Sequence, residues 1–320
     1  MAGTYAHIGL VYSICRDTKA LDSIQSLTES MKRSLMLNLK FCELGAVSPD
    51  YPYLTLLDGD SEGWANVMHY WKSADFIRHA SDLIRALDPE NPDTQRCVAW
   101  LFGFTAHVVT DLTIHPVIQM KVGPYAQNKT HHRRCEMNQD VYIFRKLEIG
   151  NINKANYIRD AGVAACSDQS DQARLNFGIA DIWNKVLQGV SLDEARKKLN
   201  VTLPVGLPNP DNWHREFVDL VDYFVQKGGI FPPLARHILE QEALVYPRKV
   251  DLEYIENLQS PDGTKIHYDK VFAQAQENVK AAWGQLGAAL STSGNAALLT
   301  LKNGDLDTGK DENSNPIYWS

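Results

Sequence analysis

An all-α fold is predicted by three observations. Apolar residues recur at three- and four-residue spacing through one segment after another, the pattern of helices that bury one face. No stretch sustains the apolar–polar alternation of a half-buried strand. Glycines and prolines cluster between the periodic segments, as at Gly45, Pro49 and Pro52 and again at Pro204, Pro208 and Pro210. The chain of 320 residues, 44% hydrophobic and 22% charged, has the composition of a globular protein and the length of one large domain. We expect a single domain over residues 1–320, with its motifs in 2–140, further helices over 150–290 and a turn-rich tail over 291–320. Internal repeats and phosphate-cradling glycine loops are absent from the sequence.

In order along the chain, residues 17–44 are expected to form one long amphipathic helix stopped by Gly45. A non-helical segment follows, in which Pro49 and Pro52 hold the backbone extended around Asp50. Read alone, Asp50 is a turn former or cap, and His7 near the N-terminus is an ordinary half-buried histidine. Residues 62–87 form the next helix. His69, among Trp64, Val67, Met68 and Trp71, reads as a core histidine, while His79, beside Arg78 and Asp82, reads as surface. A central, almost wholly apolar helix spans 92–120, and another runs over about 133–148. Helices over 154–166, 171–188, 192–199, 212–227, about 232–247 and 267–290 complete the body. In the tail, Ile317, Tyr318 and Trp319 form an aromatic end able to dock on it. His214, His237 and His267 have no partner at metal-ligand spacing and read as structural.

The chemistry concentrates between His107 and Glu136. His107, Asp111 and His115 stand at i, i+4 and i+8, and each step of four overshoots a full turn by only about 40°, so all three leave one face. Pro116, Gly123, Pro124 and Asn128 are expected to interrupt the helix. His132 and Glu136 then repeat the i, i+4 spacing on a second helix that folds back antiparallel. Facing helices that carry imidazole and carboxylate build metal sites in helical bundles, and this donor set suits zinc or, less selectively, another first-row metal. A lone His-x-x-x-Asp is more often a simple ion pair or a solvated face. Here, however, only Asp111 is formally charged between Arg96 and Lys121, and a buried charge is costly unless paired or metal-bound. Asp140, one further step along, is expected to support an imidazole rather than to ligate.

A formal net charge of −7 argues against general binding to nucleic acid or anionic membranes. Five scattered cysteines without a C-x-x-C pattern argue for reduced thiols. The N-terminus lacks a basic region and cleavage site, and no apolar run approaches a membrane span, so a cytoplasmic location without a transmembrane anchor is expected, with export by a non-classical route as the alternative.

Five segments in order, AGTYAH, GAVSPDYPY, MHYW, FGFTAHVVTDLTIHP and HHRRCE, resemble the zinc-dependent phospholipase C family. That family includes the catalytic domain of glycosylphosphatidylinositol-specific phospholipase D and shares a multi-helix bundle with the P1 nucleases. The resemblance covers about residues 2–140 and implies up to three zinc ions between the helices. Asp50, His69, His107 and Asp111 would hold the first. The second would take His7, the terminal amine and carbonyl of Ala2 once Met1 is removed, and a bridging Asp111. His115, His132 and Glu136 would hold the third. His132 is preferred to His131 because it makes the i, i+4 pair with Glu136. The Asp111–His115 interval is shorter than in the secreted bacterial lecithinases, and no export signal is visible.

The implied activity is phosphodiester hydrolysis of phospholipase C type, by zinc-bound hydroxide attacking phosphorus in line, with Asp50 ligating and taking the nucleophile's proton. Tyr51 and Trp64 are candidates for the substrate-cleft wall, with the core as the equal alternative. Three divalent ions would add about six positive charges and bring the loaded protein near neutrality. A nuclease or small-phosphoester hydrolase of the same fold is the alternative, although no basic stripe with interleaved aromatics favours a nucleic-acid partner. A silent, metal-stabilised binding module is the alternative of another class.

Overall fold

The computed structural model describes residues 3–55, 59–149, 162–226, 246–291 and 293–319, with Ala126 and residues 224–226 described by backbone alone. Within them the chain is helical. The helices are α1 (Thr4–Arg16), α2 (Thr18–Ser23), α3 (Glu29–Leu37), α4 (Leu39–Val47), α5 (Gly59–Tyr70), α6 (Ser73–Arg85), α7 (Pro92–Val122), α8 (Tyr125–Lys146), α9 (Phe177–Gln188), α10 (Leu192–Lys198), α11 (Pro210–Gln226) and α12 (Tyr268–Leu290). Extended structure among the described residues is confined to one two-residue hairpin pair, with Leu258 opposite Ile266, and isolated bridges.

Helix α7 organises the body. Asn91 caps it by accepting from the Asp93 N–H at 2.8 Å, Pro92 occupies the first turn, where its missing N–H costs nothing, and Gly123 ends it at φ +86°. It packs against α1, α3, α4, α6, α8, α9 and α12. Being surrounded, it is buried on every side along its middle, with a polar His107–Asp111–His115 face among apolar ones. By length and composition it could cross a membrane, contrary to the expectation that no apolar run is long enough, but 94% of its most apolar 18-residue window lies buried inside the protein. Trp100 and Trp283, both fully buried, anchor its flanks, donating to Ser48 Oγ at 2.8 Å and to the Phe102 carbonyl at 2.9 Å.

Several boundaries differ from the sequence reading. The expected helix over 17–44 is three. Ser26 at φ +67° and the Thr28 cap separate α2 from α3, and Asn38 leaves helical geometry between α3 and α4. Gly45 does not stop a helix but lies inside α4, where a Cβ would sit 2.0 Å from the Trp100 carbonyl oxygen; it permits close approach to α7. The helix over 62–87 is two, broken at Lys72 with φ +51°. Pro116 does not interrupt α7, which continues to Val122. Pro116 removes one N–H from the ladder, and burial of the residues around it holds the helix through that loss. The kink falls instead at Asn128 in α8. The segment around Asp50, expected to be extended, carries a 3₁₀ turn over Tyr51–Leu54. Helix α1 was not foreseen. The expectation over 171–188 begins six residues late, at Phe177, after turns built on Asp168 and Asp171. Those over 154–166 and 232–247 lie mostly outside the described residues, where the part that is described near 154–166 is a short 3₁₀ turn, Val163–Ala165.

All five cysteines are free and buried. The tail after α12 runs back along the body and lays Trp319 on α7, its Nε1 donating to the Thr113 carbonyl at 2.7 Å.

Candidate metal centre

Histidines and carboxylates from five parts of the chain converge on the inner face of α7. His7 comes from α1, Asp50 from the turn after α4, and His69 from the end of α5. His107, Asp111 and His115 come from α7 itself, and His132 and Glu136 from the middle of α8, after its kink at Asn128. All are buried, Glu136 and Asp50 being the most accessible at 9% and 4%.

Asp111 is the hub. Its Oδ1 lies 3.1 Å from His7 Nε2 and 3.5 Å from His115 Nε2, and its Oδ2 lies 3.1 Å from His107 Nε2. Asp50 Oδ1 lies 3.0 Å from His69 Nε2 and 3.9 Å from His107 Nε2. The His7 and His107 rings stack with centroids 4.1 Å apart. Two groups, His7–His107–Asp111 and Asp50–His69–His107, each bring three ligand atoms within 4.8 Å of one another, sharing His107. His132 Nδ1 faces Glu136 Oε1 at 3.9 Å, but among the described residues no such close group forms from His115, His132 and Glu136.

The far side of each ring explains what the near side is for. His107 Nδ1 donates to the Ala46 carbonyl and His69 Nδ1 to the Ala65 carbonyl, both at 2.8 Å. His115 Nδ1 donates to the Leu306 carbonyl, and His132 Nε2 donates to the Gly123 carbonyl at 2.7 Å. A carbonyl only accepts, so each ring carries its proton on the outer nitrogen and, when neutral, presents a lone pair inward. Those inward lone pairs face carboxylate oxygens at 3.0–3.5 Å in His69, His107 and His115. Two acceptors at that distance repel unless a proton or a cation stands between them. The inner nitrogens of His107, His115 and His132, and both of His7, have no hydrogen-bond partner. Backbone carbonyls that fix the tautomer of a ligating histidine are the usual support of a metal site.

Electrostatics agree. Burial, with His107 close by, lowers His7, and burial pushes His115 and His132 down to about 4, so these rings are neutral at pH 7. Burial opposes ionisation of Asp111, but His115, His107 and His7 overcome it and hold the carboxyl well below its usual range. Asp50 is likewise held low against burial by His107 and His69. His107 is raised, Asp111 and Asp50 outweighing its burial. Burial lifts Glu136 to about 7. The ionised Asp50 and Asp111 carboxylates beside the neutral His7, His115 and His132 rings make an N/O donor set that fits zinc.

The remaining sequence expectations fall out as follows. Ala2 lies outside the described residues. His131 is exposed while His132 points inward. Among the described residues no hydrogen bond joins Asp140 to an imidazole; it accepts from the Ala6 N–H at 2.7 Å and the Tyr246 hydroxyl at 3.0 Å, and so anchors the first turn of the helix that carries His7. Tyr51 and Trp64, read from the sequence as cleft wall or core, are both buried, 0% and 3% exposed. The Tyr51 hydroxyl bonds His214 Nδ1 at 2.8 Å, and Trp64 Nε1 donates to the Gly206 carbonyl at 3.2 Å. His214 and His267 are structural: the first also bonds Ser167 Oγ, and the second caps α12 by accepting from Asp269 N–H. Sequence reasoning missed the four carbonyl partners, because a backbone acceptor has no residue identity to read.

A family model described as zinc-dependent phospholipase C matches residues 17–191, more than half of the chain, and the chain belongs to that family. The match takes in every residue of the centre except those near the N-terminus. No curated protein and no solved structure matches the chain.

Proposed function

We propose that this member of the zinc-dependent phospholipase C family hydrolyses a phospholipid phosphodiester, with zinc held by the histidine–aspartate centre. One observation carries the reading: imidazoles whose outer N–H groups are committed to backbone carbonyls converge on Asp111 and Asp50 with their lone pairs inward. In this assignment Asp50, His69, His107 and Asp111 take one ion. His7 and Asp111 take a second, together with Ala2 if its amine is free. His115, His132 and Glu136 take a third. Asp111 would contribute to both of the first two ions, its Oδ1 facing His7 and His115 and its Oδ2 facing His107.

Zinc bound there would lower the pKa of a coordinated water toward neutrality and neutralise phosphate oxygens. The protein's own groups divide the rest. Asp50, more accessible than Asp111 and held ionised, accepts the proton of the attacking nucleophile. Asp111, enclosed by three imidazoles, keeps a fixed geometry. The Ala46, Ala65, Gly123 and Leu306 carbonyls keep the rings from rotating, so the centre is arranged before substrate arrives.

The test is turnover by zinc-loaded protein of phosphatidylcholine and phosphatidylinositol in mixed micelles, with a dinucleotide and single-stranded DNA in parallel. Release of phosphorylated head group is expected. Turnover of nucleotides alone would move the reading to a nuclease of the same chemistry. No turnover of any substrate at full zinc occupancy would leave a metal-stabilised binding protein.

A further inference from the structure

The tail is ordered, and it is ordered on the centre. Beginning at Leu299, it crosses the ends of three helices. Arg78 of α6 donates to the Leu299 and Leu301 carbonyls, and Asn303 Oδ1 accepts from the Ala74 N–H at 2.9 Å, capping α6. Leu306, fully buried, then reaches two candidate ligands at once. Its N–H donates to the His69 carbonyl at 3.1 Å, and its own carbonyl accepts from His115 Nδ1. At the next residue the Tyr70 hydroxyl donates to Asp307 Oδ2, and Gln119 Nε2 donates to the Asp307 carbonyl at 2.8 Å.

Internal bonds stiffen the segment: Gly309 N–H to the Asp305 carbonyl at 2.8 Å, Asp305 N–H to the Lys310 carbonyl at 3.0 Å, and Ile317 N–H to the Gly309 carbonyl at 3.1 Å. Trp319 closes it on Thr113. The tail residues that make these contacts, 299–319, lie outside the residues matched by the family model, which end at 191.

We propose that residues 303–319 form a strap whose Leu306 carbonyl positions His115 for metal binding and ties it to His69, so that the C-terminal segment completes a centre whose ligands all lie far earlier in the chain. The inference rests on the proposed zinc-binding role of His115. Leu306 is a positioning residue: it fixes the Nδ1–H tautomer of His115, which leaves Nε2 as the inward ligand.

Gly309 offers a lever that touches no ligand. Its φ is +67°, and a Cβ there would fall 2.4 Å from Pro116 Cγ and 2.8 Å from the Leu112 carbonyl oxygen. Gly309→Val should therefore lift the strap from α7. Two readings are taken. One is the ¹⁵N spectrum of the histidines in metal-free protein, which reports the His115 tautomer. The other is zinc affinity by chelator competition, with the visible spectrum of the cobalt(II)-substituted protein. We expect wild type to show His115 as Nδ1–H. In Gly309→Val that signature should be lost and the weakest-held ion should bind about 10- to 100-fold less tightly, with a changed cobalt spectrum and retained helical circular dichroism.

Tyr70→Phe, which removes only the hydroxyl on Asp307, should move both readings the same way by a smaller factor, and it decides the matter if Gly309→Val does not fold. Glu312→Ala, exposed on the strap, should change neither. An Nε2–H tautomer in wild type, or folded strap variants with wild-type zinc affinity and cobalt spectrum, would overturn the inference. A wild-type chain that binds no zinc would instead bring down the hydrolase reading, an outcome distinct from zinc binding that ignores the strap.

Discussion

Gly103→Ala sets two effects of opposite sign against each other. A glycine inside a helix costs about 1 kcal/mol relative to alanine, so by propensity alone the substitution should stabilise α7. Packing says otherwise. A Cβ at Gly103 would lie 1.9 Å from the Cys42 carbonyl oxygen and 2.8 Å from the Ala46 nitrogen, both backbone atoms of α4 that cannot rotate away. Gly45 makes the reciprocal approach toward Trp100 and Phe104. To reach even 3.0 Å, the two helices must part by 1.1 Å locally.

The Ala46 carbonyl that holds His107 Nδ1 at 2.8 Å sits in that same contact. Its bond would stretch to as much as about 3.9 Å, beyond hydrogen-bonding range. Overpacking costs about 1–3 kcal/mol, and a buried carbonyl left without its donor costs about 1–3 kcal/mol more. The net is destabilisation of about 1–5 kcal/mol, or a Tm lower by about 2–10 °C for a chain of this size. Thermal unfolding of metal-free protein reads the packing, and chelator competition on the loaded protein reads the loss of His107 orientation. A Gly103→Ala protein with equal or higher Tm and wild-type zinc affinity would refute the reasoning.

Further outcomes follow from the same geometry. Asp111→Ala and His107→Ala should each abolish hydrolysis, lower bound zinc and reduce thermal stability together, since in the proposed assignment the ions held by these residues would join α1, α5 and α7; elemental analysis showing wild-type zinc in either variant would contradict this. Tyr51→Phe removes the hydroxyl bonded to His214 and should cost about 1–3 kcal/mol of stability while leaving kcat and KM unchanged; a large rise in KM would return Tyr51 to the cleft wall. Burial raises Asp140 to about 7 from 3.8, so the folded protein binds this proton more tightly than the unfolded chain does. Its contribution favours folding most below pH 4 and declines as pH rises to about 7. Denaturant titrations of metal-free protein should show Asp140→Asn, which keeps an acceptor for the Ala6 N–H, losing stability less steeply than wild type across that interval. His79→Ala, on the exposed face of α6, should leave zinc content and turnover unchanged.

The helical class and the positions of most candidate ligands could be read from the residues because periodicity and i, i+4 spacing are local. His107, Asp111, His115, His132 and Glu136 share faces dictated by helical geometry, whatever the rest of the chain does. The helix breaks were harder. Ser26 and Lys72 adopt positive φ without being glycine, and Asn38 breaks an otherwise periodic run, so nothing in composition announced them. Pro116 misled in the other direction, because tertiary burial outweighs one missing N–H. His7, Asp50 and His69 read as ordinary residues until the family resemblance was considered, since each reaches the centre from a separate element. The Leu306 contact could not be read at all: it is a backbone carbonyl 191 residues from its histidine.

The most direct measurement is metal content of the purified, zinc-equilibrated and dialysed protein by elemental analysis, with zinc-edge X-ray absorption on the same sample. We expect two to three zinc ions per chain, all with nitrogen and oxygen neighbours at about 2.0–2.2 Å and no sulfur. Less than one ion per chain, or a sulfur shell at about 2.3 Å, would contradict the histidine–aspartate centre.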